Sequence, residues 1–311
     1  MDGALMGGAL TGGAPSGGAA SGRNGPASGR ALADSLVGSL IDDLLAESAA
    51  LRQVLAGLAA PDWGLATPAA GWTVTDQVTH LAYFDDAARR SVTEPERFTA
   101  EAEQIAAGGA DFIDQVAARY RDTPPADVLA WFDQARARLT EAYRQADPSA
   151  RLPWYGPPMS LASSVTARLM ETWAHGQDVL DTMGIARVAT ARMRHVADLG
   201  IRALRYAYTV NGLPVPAEPI RVELAGPDDA RWDWGPADAA NRVSGTALDF
   251  CLLVTQRRHR DDTALEVTGA VARQWMSIAQ AFAGPAGPGR APASPALSAP
   301  PASPAPPAGG S

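Results

Sequence analysis

The sequence predicts a mainly α-helical fold, in which an all-helical part is followed by a smaller α+β part. Apolar side chains recur at helical spacing through most of residues 31–212. Apolar and charged residues then alternate from Ile220 to Leu224, which is the period of a half-buried strand. With 311 residues and 46% hydrophobic content, the chain is long enough to bury a core in each part. We therefore predict a helical domain over 31–212 and an α+β domain over 213–283.

The two ends of the chain are predicted to lie outside these domains. Residues 1–30 consist largely of Gly, Ala and Ser and lack the apolar run and basic start of a signal peptide, so we interpret them as a disordered leader. Residues 284–311 form a Pro/Ala tail that cannot build a core, and they are also predicted to be disordered.

The composition narrows the classes of partner. A formal net charge of -8 argues against a general nucleic-acid binder, because such proteins need a basic face to displace counterions from phosphates. No apolar stretch approaches the roughly 18 residues of a membrane-spanning helix. Cys251 is the single cysteine, which excludes an intramolecular disulfide framework and a thiolate zinc cluster. We therefore predict a cytoplasmic protein in which any metal is bound by His and carboxylate.

The first half of the chain contains several helical segments. Leucines at helical spacing predict an amphipathic first helix from Ala33 to Leu58, and a loop over 60–72 follows. Thr73 and Asp76 are spaced as in a capping box, which predicts the start of a second helix. His80 lies beside the apolar stripe of that helix and can face a bundle interior. Its stripe consists of Val74, Val78 and Leu81.

The predicted helices continue to residue 210. A helical region covers about 98–120, and the period resumes after Pro125 until Pro148. Ser160 or Ser163 is expected to cap the next helix, which runs to about Met183 and stops at Gly184. One more helix is predicted over about 190–210. The helical pattern ends there, and the α+β part is predicted to contain strands at Ile220–Leu224 and Leu265–Val267 and helices over 247–257 and 271–282.

The spacing of Glu171 and His175 indicates a candidate metal site. Residues four apart lie on one face of a helix, so a carboxylate and an imidazole would point the same way. If the helix that carries His80 packs alongside, a third ligand faces them and leaves room for water or substrate. Two His and one Glu suit zinc but accept nickel, iron, cobalt or manganese. Asp178, at the next turn, could be a fourth ligand, hold the His175 ring or be a solvated acid, and we favour the hydrogen bond to the ring.

Two segments of this sequence resemble a known family. Residues 71–82 (G-W-T-V-T-D-Q-V-T-H-L-A) and 171–178 (E-T-W-A-H-G-Q-D) are similar to motifs of the actinobacterial proteins related to mycothiol-dependent maleylpyruvate isomerase. The N-terminal domain of that family is a DinB-like four-helix bundle that binds a divalent metal, usually zinc. The resemblance implies that His80, Glu171 and His175 are the metal ligands.

The C-terminal part resembles the smaller domain of the same family, which is sterol-carrier-protein-like and contributes an arginine to the active cleft. Arg257 aligns best with that catalytic arginine, and Arg258 is the alternative. The run over 243–258 ends in V-T-Q-R-R-H instead of the family's Gly-Arg. This difference predicts a divergent branch, whose members are commonly described only as metal-binding proteins.

The resemblance implies an enzyme that uses a metal and mycothiol. As an isomerase or thiol transferase, it would present a metal-bound thiolate to a small electrophilic substrate, and Arg257 would hold the substrate carboxylate. The partners are then a small-molecule thiol and the electrophile. The alternative is a non-catalytic module that binds a metal or metabolite. A third hypothesis, wyosine-related tRNA modification, has no support from a basic, Cys-rich or aromatic segment.

Overall fold

The computed structural model describes residues 26–107, 112–287 and 289–293. The helices in these ranges are α1 (Pro26–Ala56), α2 (Val74–Thr93), α3 (Pro95–Ala107), α4 (Phe112–Tyr120), α5 (Pro125–Gln145), α6 (Leu161–Thr182), α7 (Met193–Arg202), α8 (Leu204–Val210), α9 (Ala247–Val254) and α10 (Ala270–Ile278). The strands are β1 (Arg151–Leu152), β2 (Met159–Ser160), β3 (Ile220–Ala225), β4 (Arg231–Trp234), β5 (Asn241–Thr246) and β6 (Glu266–Thr268). The predicted mainly α-helical fold with a smaller α+β part is confirmed.

Four long helices form a bundle, as the resemblance to a DinB-like domain implies. Helix α2 packs against α5 and α6, and α1 packs against the same two helices from the other side. Large apolar side chains fill the space between them. This part of the core contains Leu51, Leu55, Trp63, Val74, Val78, Leu81, Val128, Phe132 and Val179.

Capping fixes the start of the two helices that carry the candidate ligands. The Thr73 hydroxyl accepts a hydrogen bond from the Asp76 amide, and the Asp76 carboxylate accepts one from the Thr73 amide at 2.8 Å. This is the predicted capping box, and it satisfies amides that the first turn leaves unpaired. Ser160, one of the two predicted caps of α6, accepts from the Ser163 amide at 3.1 Å. Gly184, with φ of +65°, follows the end of α6 as predicted.

Two predicted helices differ from the structure. The region predicted over 98–120 consists of α3, which begins earlier at Pro95, and α4, and residues 108–111 between them lie outside the described part. The helix predicted over 190–210 is interrupted at Ala203, which separates α7 from α8. Helical periodicity continues across Ala203, so it does not reveal this break.

The α+β part contains a four-stranded sheet in the order β4-β3-β5-β6. Strands β3 and β5 are parallel, and the outer pairs are antiparallel. Helices α9 and α10 pack on the sheet. The sequence analysis missed β5, because Val243 is its one large apolar residue and Asn241 occupies another buried position. The Asn241 side chain accepts from the amides of Val271 and Ala272, so this buried polar residue holds the start of α10.

Helix α7 joins the two parts. It packs against α6 on one side and α9 on the other, and Gly200 allows α9 to approach closely. A Cβ at Gly200 would lie 2.7 Å from Val254. None of the helices in the described ranges is long and apolar enough to cross a membrane.

The ordered chain extends beyond the predicted domain limits. Residues 1–25 and 294–311, which hold most of the predicted leader and tail, lie outside the described residues. Helix α1 already begins at Pro26. At the other end, the Tyr206 hydroxyl donates to the Gly284 carbonyl at 2.6 Å, and Arg290 pairs with Asp178 at 3.0 Å.

Candidate metal centre

The three predicted metal ligands come together at the contact between α2 and α6. The Nε2 atoms of His80 and His175 lie 3.6 Å and 3.1 Å from the same oxygen, Glu171 Oε2. One ligand atom from each residue can be chosen so that all three lie within 4.8 Å of one another. The two imidazole rings are 4.3 Å apart between centroids. The three donors therefore surround a single point, as ligands of one ion do.

A glutamine fixes the orientation of the His175 ring. The Thr67 hydroxyl donates to the Trp72 carbonyl at 2.9 Å, so it accepts from Gln77 at 2.8 Å. The Gln77 atom at Thr67 is therefore the amide nitrogen, and Oε1 is the oxygen. That oxygen lies 2.5 Å from His175 Nδ1. Because a carbonyl oxygen only accepts, Nδ1 must be the donor, and a neutral His175 then carries its lone pair on Nε2. A hydrogen bond of this kind commonly orients a metal-binding histidine.

This tautomer makes the contact between His175 and Glu171 dependent on a cation. In a neutral ring, the Nε2 lone pair of His175 faces a carboxylate oxygen of Glu171 at 3.1 Å. Two acceptors at this distance repel unless a proton or a metal ion lies between them. Two imidazole nitrogens and one carboxylate oxygen are a donor set that zinc accepts. The residues therefore fit a divalent metal by chemistry as well as by distance.

Burial and charge place His80 and Glu171 in the protonation states that metal ligands need. Burial, with a smaller contribution from the charge of His175, lowers the pKa of His80 to about 3, so its ring is neutral at pH 7. Burial alone would raise the pKa of Glu171. The close approach of the His175 and His80 imidazoles outweighs the effect of burial and holds that pKa well below the ordinary value. The site thus has a neutral imidazole beside an ionised carboxylate.

Aromatic rings enclose the imidazoles. Trp72 stacks on His175 at 5.8 Å between centroids and is tilted against His80 at 5.3 Å. Phe84 contacts the His80 ring at 4.6 Å. Within the described residues, the buried Nδ1 of His80 has no hydrogen-bond partner, so packing orients this ring where Gln77 orients the other.

Glu171 links the site to a cavity of about 380 Å³. The N-terminal half of α6 forms one wall, and the loop over 154–158 forms another. Leu199 and Arg202 of α7, together with residues 281–283, complete the lining. The candidate metal centre is therefore accessible from a space between the bundle and the α+β part.

The structure gives Asp178 a different partner from the favoured one. Gln77, not Asp178, bonds the His175 ring. Asp178 is fully buried, which excludes the solvated alternative, and it accepts from Arg257 at 2.8 Å and from Arg290 at 3.0 Å. The correction has a simple cause, because a buried carboxylate beside two guanidinium groups pairs with them in preference to a neutral ring.

Arg257 lies with Asp178 and does not line the cavity at Glu171. Its Nε and Nη2 donate to Asp178, and its Nη1 donates to the Thr255 carbonyl. Arg258, the alternative, holds Asp181 with two bonds of 2.6 Å. The substrate-binding role predicted for Arg257 remains a prediction, and its contacts connect α6 to the α+β part.

Sequence reasoning missed a second buried polar group beside the site. Asp85 of α2 accepts from Arg136 of α5 at 2.6 Å and from Arg168 of α6 at 3.0 Å. All three side chains are almost completely buried. A detectable signal was Arg168, a charged residue three positions before Glu171 on the buried face of α6.

Two family models match this chain. The model described as the mycothiol maleylpyruvate isomerase N-terminal domain matches residues 44–180, which include all three candidate ligands. A second model, described as wyosine base formation, matches residues 216–266 in the α+β part.

Two relatives and two solved structures are similar to this chain over most of its length. "Uncharacterized protein Rv0036c" of Mycobacterium tuberculosis (strain ATCC 25618 / H37Rv) is 47% identical over 253 residues, which cover 81% of this chain and 98% of the relative. "Uncharacterized protein MT0041" of Mycobacterium tuberculosis (strain CDC 1551 / Oshkosh) has the same identity and coverage. The crystal structure of mycothiol-dependent maleylpyruvate isomerase is 16% identical with a TM-score of 0.50, and covers 76% of this chain and 93% of its own. A mutant of that enzyme gives the same TM-score at 17% identity and the same coverage. These likenesses show a shared fold.

Proposed function

We propose that this chain, whose residues 44–180 belong to the family of the mycothiol maleylpyruvate isomerase N-terminal domain, is a metal-dependent enzyme that uses mycothiol. The proposed reaction is isomerisation of, or thiol transfer to, a small electrophilic substrate. His80, Glu171 and His175 would hold the metal, with zinc as the first candidate. The observation that carries the proposal is the convergence of three possible ligand atoms within 4.8 Å of one another, with Glu171 at the wall of a cavity.

The chemistry of the donor set supports this assignment. A divalent metal held by two imidazoles and one carboxylate lowers the pKa of a bound thiol, which makes thiolate available at neutral pH. The chain's own residues keep the ligands in the state that this requires. Gln77 holds the proton of His175 on Nδ1, and burial keeps His80 neutral. Trp72 and Phe84 cover the imidazole rings, and Glu171 is the one of the three candidate ligands that lines the cavity.

No protein nucleophile is needed for an isomerase of this class. Reversible addition of a thiol to an activated double bond turns it into a single bond that can rotate, and elimination then releases the same thiol. The one cysteine of the chain fits this view, since Cys251 is buried and burial raises the pKa of its thiol. Cys251 is therefore a core residue.

RNA modification is not supported by the charges in the region that matches the wyosine model. Arg221 of β3 pairs with Asp233 at 2.8 Å, and Arg242 of β5 pairs with Glu223 at 2.7 Å. These arginines are neutralised by neighbouring acids, whereas binding to a phosphate backbone requires basic side chains free to pair with phosphates.

The proposal is tested by turnover. The purified full-length protein, loaded with zinc, is mixed with mycothiol and either maleylpyruvate or chlorodinitrobenzene, and product is measured. We expect product that requires both metal and mycothiol and that is lost in Glu171→Gln. His195→Ala is the matched control and should remain active, because His195 pairs with Asp43 at 2.8 Å.

The opposite outcome is equally informative. If no electrophile of either class is converted while metal and mycothiol raise the melting temperature of the protein, the enzyme proposal is wrong. That result would favour the non-catalytic metal- or metabolite-binding module.

A further inference from the structure

The cavity beside Glu171 has an excess of positive charge. Its charged lining side chains, among the described residues, are Arg151, Arg168, Arg202 and Glu171. Glu171 offsets one of these three positive charges, so an excess of positive charge remains. An anionic ligand would therefore be favoured in this space.

The three arginines differ in their surroundings. Arg151 is exposed and donates to the Pro158 carbonyl at 2.6 Å. Arg202 is also exposed and pairs with Asp198 at 2.9 Å. Arg168 is only 3% exposed. It is the one of the three whose charge is removed from water, so its pairing matters most.

Arg168 shares its carboxylate partner, Asp85, with Arg136. Its Nε donates to Asp85, and Arg136 donates to the same carboxylate through Nε and Nη2. The buried group of Asp85, Arg136 and Arg168 therefore carries one net positive charge. Within the described part of the chain, the buried Nη2 of Arg168 has no hydrogen-bond partner. An uncompensated buried charge with an unused donor is unfavourable, and an anion at the cavity wall would offset it.

Two further features place positive potential in the same space. The N-terminal end of α6, including Ser160 and Ser163, lines the cavity, and the partial positive charge of a helix N-terminus lies there. Arg168 lies on the same wall of the cavity, three residues before Glu171, and adds its charge to this potential.

We propose that Arg168 is an anion-binding residue, which holds a carboxylate group of the small molecule that occupies this cavity. Residues three apart on a helix have Cβ atoms about 5–6 Å apart, so this carboxylate would lie one turn from Glu171. The spacing suits a small carboxylate-bearing electrophile whose reactive carbon lies toward the metal centre. The inference deepens the proposed function and rests on it for the identity of the cavity as the substrate site.

The experiment uses binding without metal or thiol, so that it is separate from turnover. The full-length protein is freed of metal with a chelator and titrated calorimetrically with maleate, a small dicarboxylate, or with dimethyl maleate, its uncharged diester. We expect saturable binding of one maleate and no measurable binding of the diester. Equal binding of the two compounds, or no binding of maleate, would overturn the inference.

Two variants locate the subsite. Arg168→Met removes the excess charge and leaves Asp85 and Arg136 as a balanced pair, so we expect it to fold and to bind maleate at least about 10-fold more weakly. Arg202→Met is the matched control at another cavity arginine and should change the affinity less than about 2-fold. Unchanged affinity in Arg168→Met would overturn the inference. Should that variant fail to fold, Arg168→Lys decides, with several-fold weaker binding expected and unchanged affinity contradicting it.

The outcomes distinguish the two proposals. Maleate binding that depends on Arg168, without turnover in the presence of metal and mycothiol, would leave the anion subsite standing and defeat the enzyme proposal. Turnover of a carboxylate substrate with unchanged KM in Arg168→Met would support the enzyme proposal and defeat the anion subsite.

Discussion

The two halves of helix α6 carry carboxylates whose partners differ: imidazoles in one half and arginines in the other. In the half that lines the cavity, Glu171 faces two imidazoles, and its contact with His175 needs a cation. In the half that faces the α+β part, Asp178 and Asp181 are each held by arginines at hydrogen-bond distance. A carboxylate can thus serve as a metal ligand where its neighbours are imidazoles, and it joins two parts of the fold where its neighbours are arginines.

Loss of the metal should give the largest difference between the halves. We expect His175→Ala to abolish stoichiometric metal binding, because two donors on one helix turn become one. Elemental analysis of protein purified in parallel with His195→Ala measures this. Equal metal content in the two variants would show that the cavity half of α6 is not a metal site.

Removal of the Asp178 carboxylate, in the half of α6 that faces the α+β part, should lower stability and leave metal binding unchanged. Asp178→Ala leaves Arg257 and Arg290 without this carboxylate in a mostly buried position. We expect the free energy of unfolding to fall by about 3–5 kcal/mol, as when one partner of a buried ion pair is removed. Urea denaturation measures this change. Asp181→Ala is the matched control with a smaller expected loss, because its partner Arg258 is a third exposed. Loss of metal from the folded Asp178→Ala protein would erase the distinction between the halves.

The pH dependence of stability should arise at the cavity half of α6, where His80 of α2 faces Glu171. The pKa of His80 is about 3 in the folded protein and near 6.5 in an unfolded chain. As the pH falls, the His80 imidazole therefore binds a proton in the unfolded state before it does so in the folded state. Metal-free protein should lose stability as the pH falls from about 6.5 toward 3, with a slope of up to about 1.4 kcal/mol per pH unit. Urea denaturation at several pH values should show a smaller slope in His80→Gln. The slope should persist in Asp178→Ala, and an unchanged slope in His80→Gln would contradict the assignment.

The smallest expected effect is that of Gln77, the residue that orients the His175 ring. Gln77→Ala removes the acceptor at Nδ1 and frees the ring to adopt the other tautomer. We expect metal affinity to fall by about 10–100-fold, the usual effect of losing such a partner. Competition with a chromophoric chelator measures the affinity. Gln177→Ala is the matched control, since this glutamine accepts from Arg187 and not from a ligand. Equal affinities in the two variants would show that Gln77 only fills space.

The local elements of the fold were predictable because they depend on near neighbours in sequence. The capping box of Thr73 and Asp76 starts α2 as predicted, and Ser160 starts α6. Strand β5 was not predictable, because its position between β3 and β6 depends on backbone pairing with distant residues. A strand with Val243 as its one large apolar residue shows little of the alternation on which sequence analysis relies.

The sequence alone determined which residues can be ligands, through helical spacing and a family motif that includes His80, Glu171 and His175. Tertiary structure decided how each polar residue is used. Asp178 lies one turn from His175, yet its partner Arg257 is 79 residues away in sequence. The physical reason is that hydrogen bonds and ion pairs act over a few ångströms in space. Packing brings residues that are distant along the chain close to α6. These neighbours therefore determine whether each carboxylate of α6 can bind a metal or pairs with an arginine.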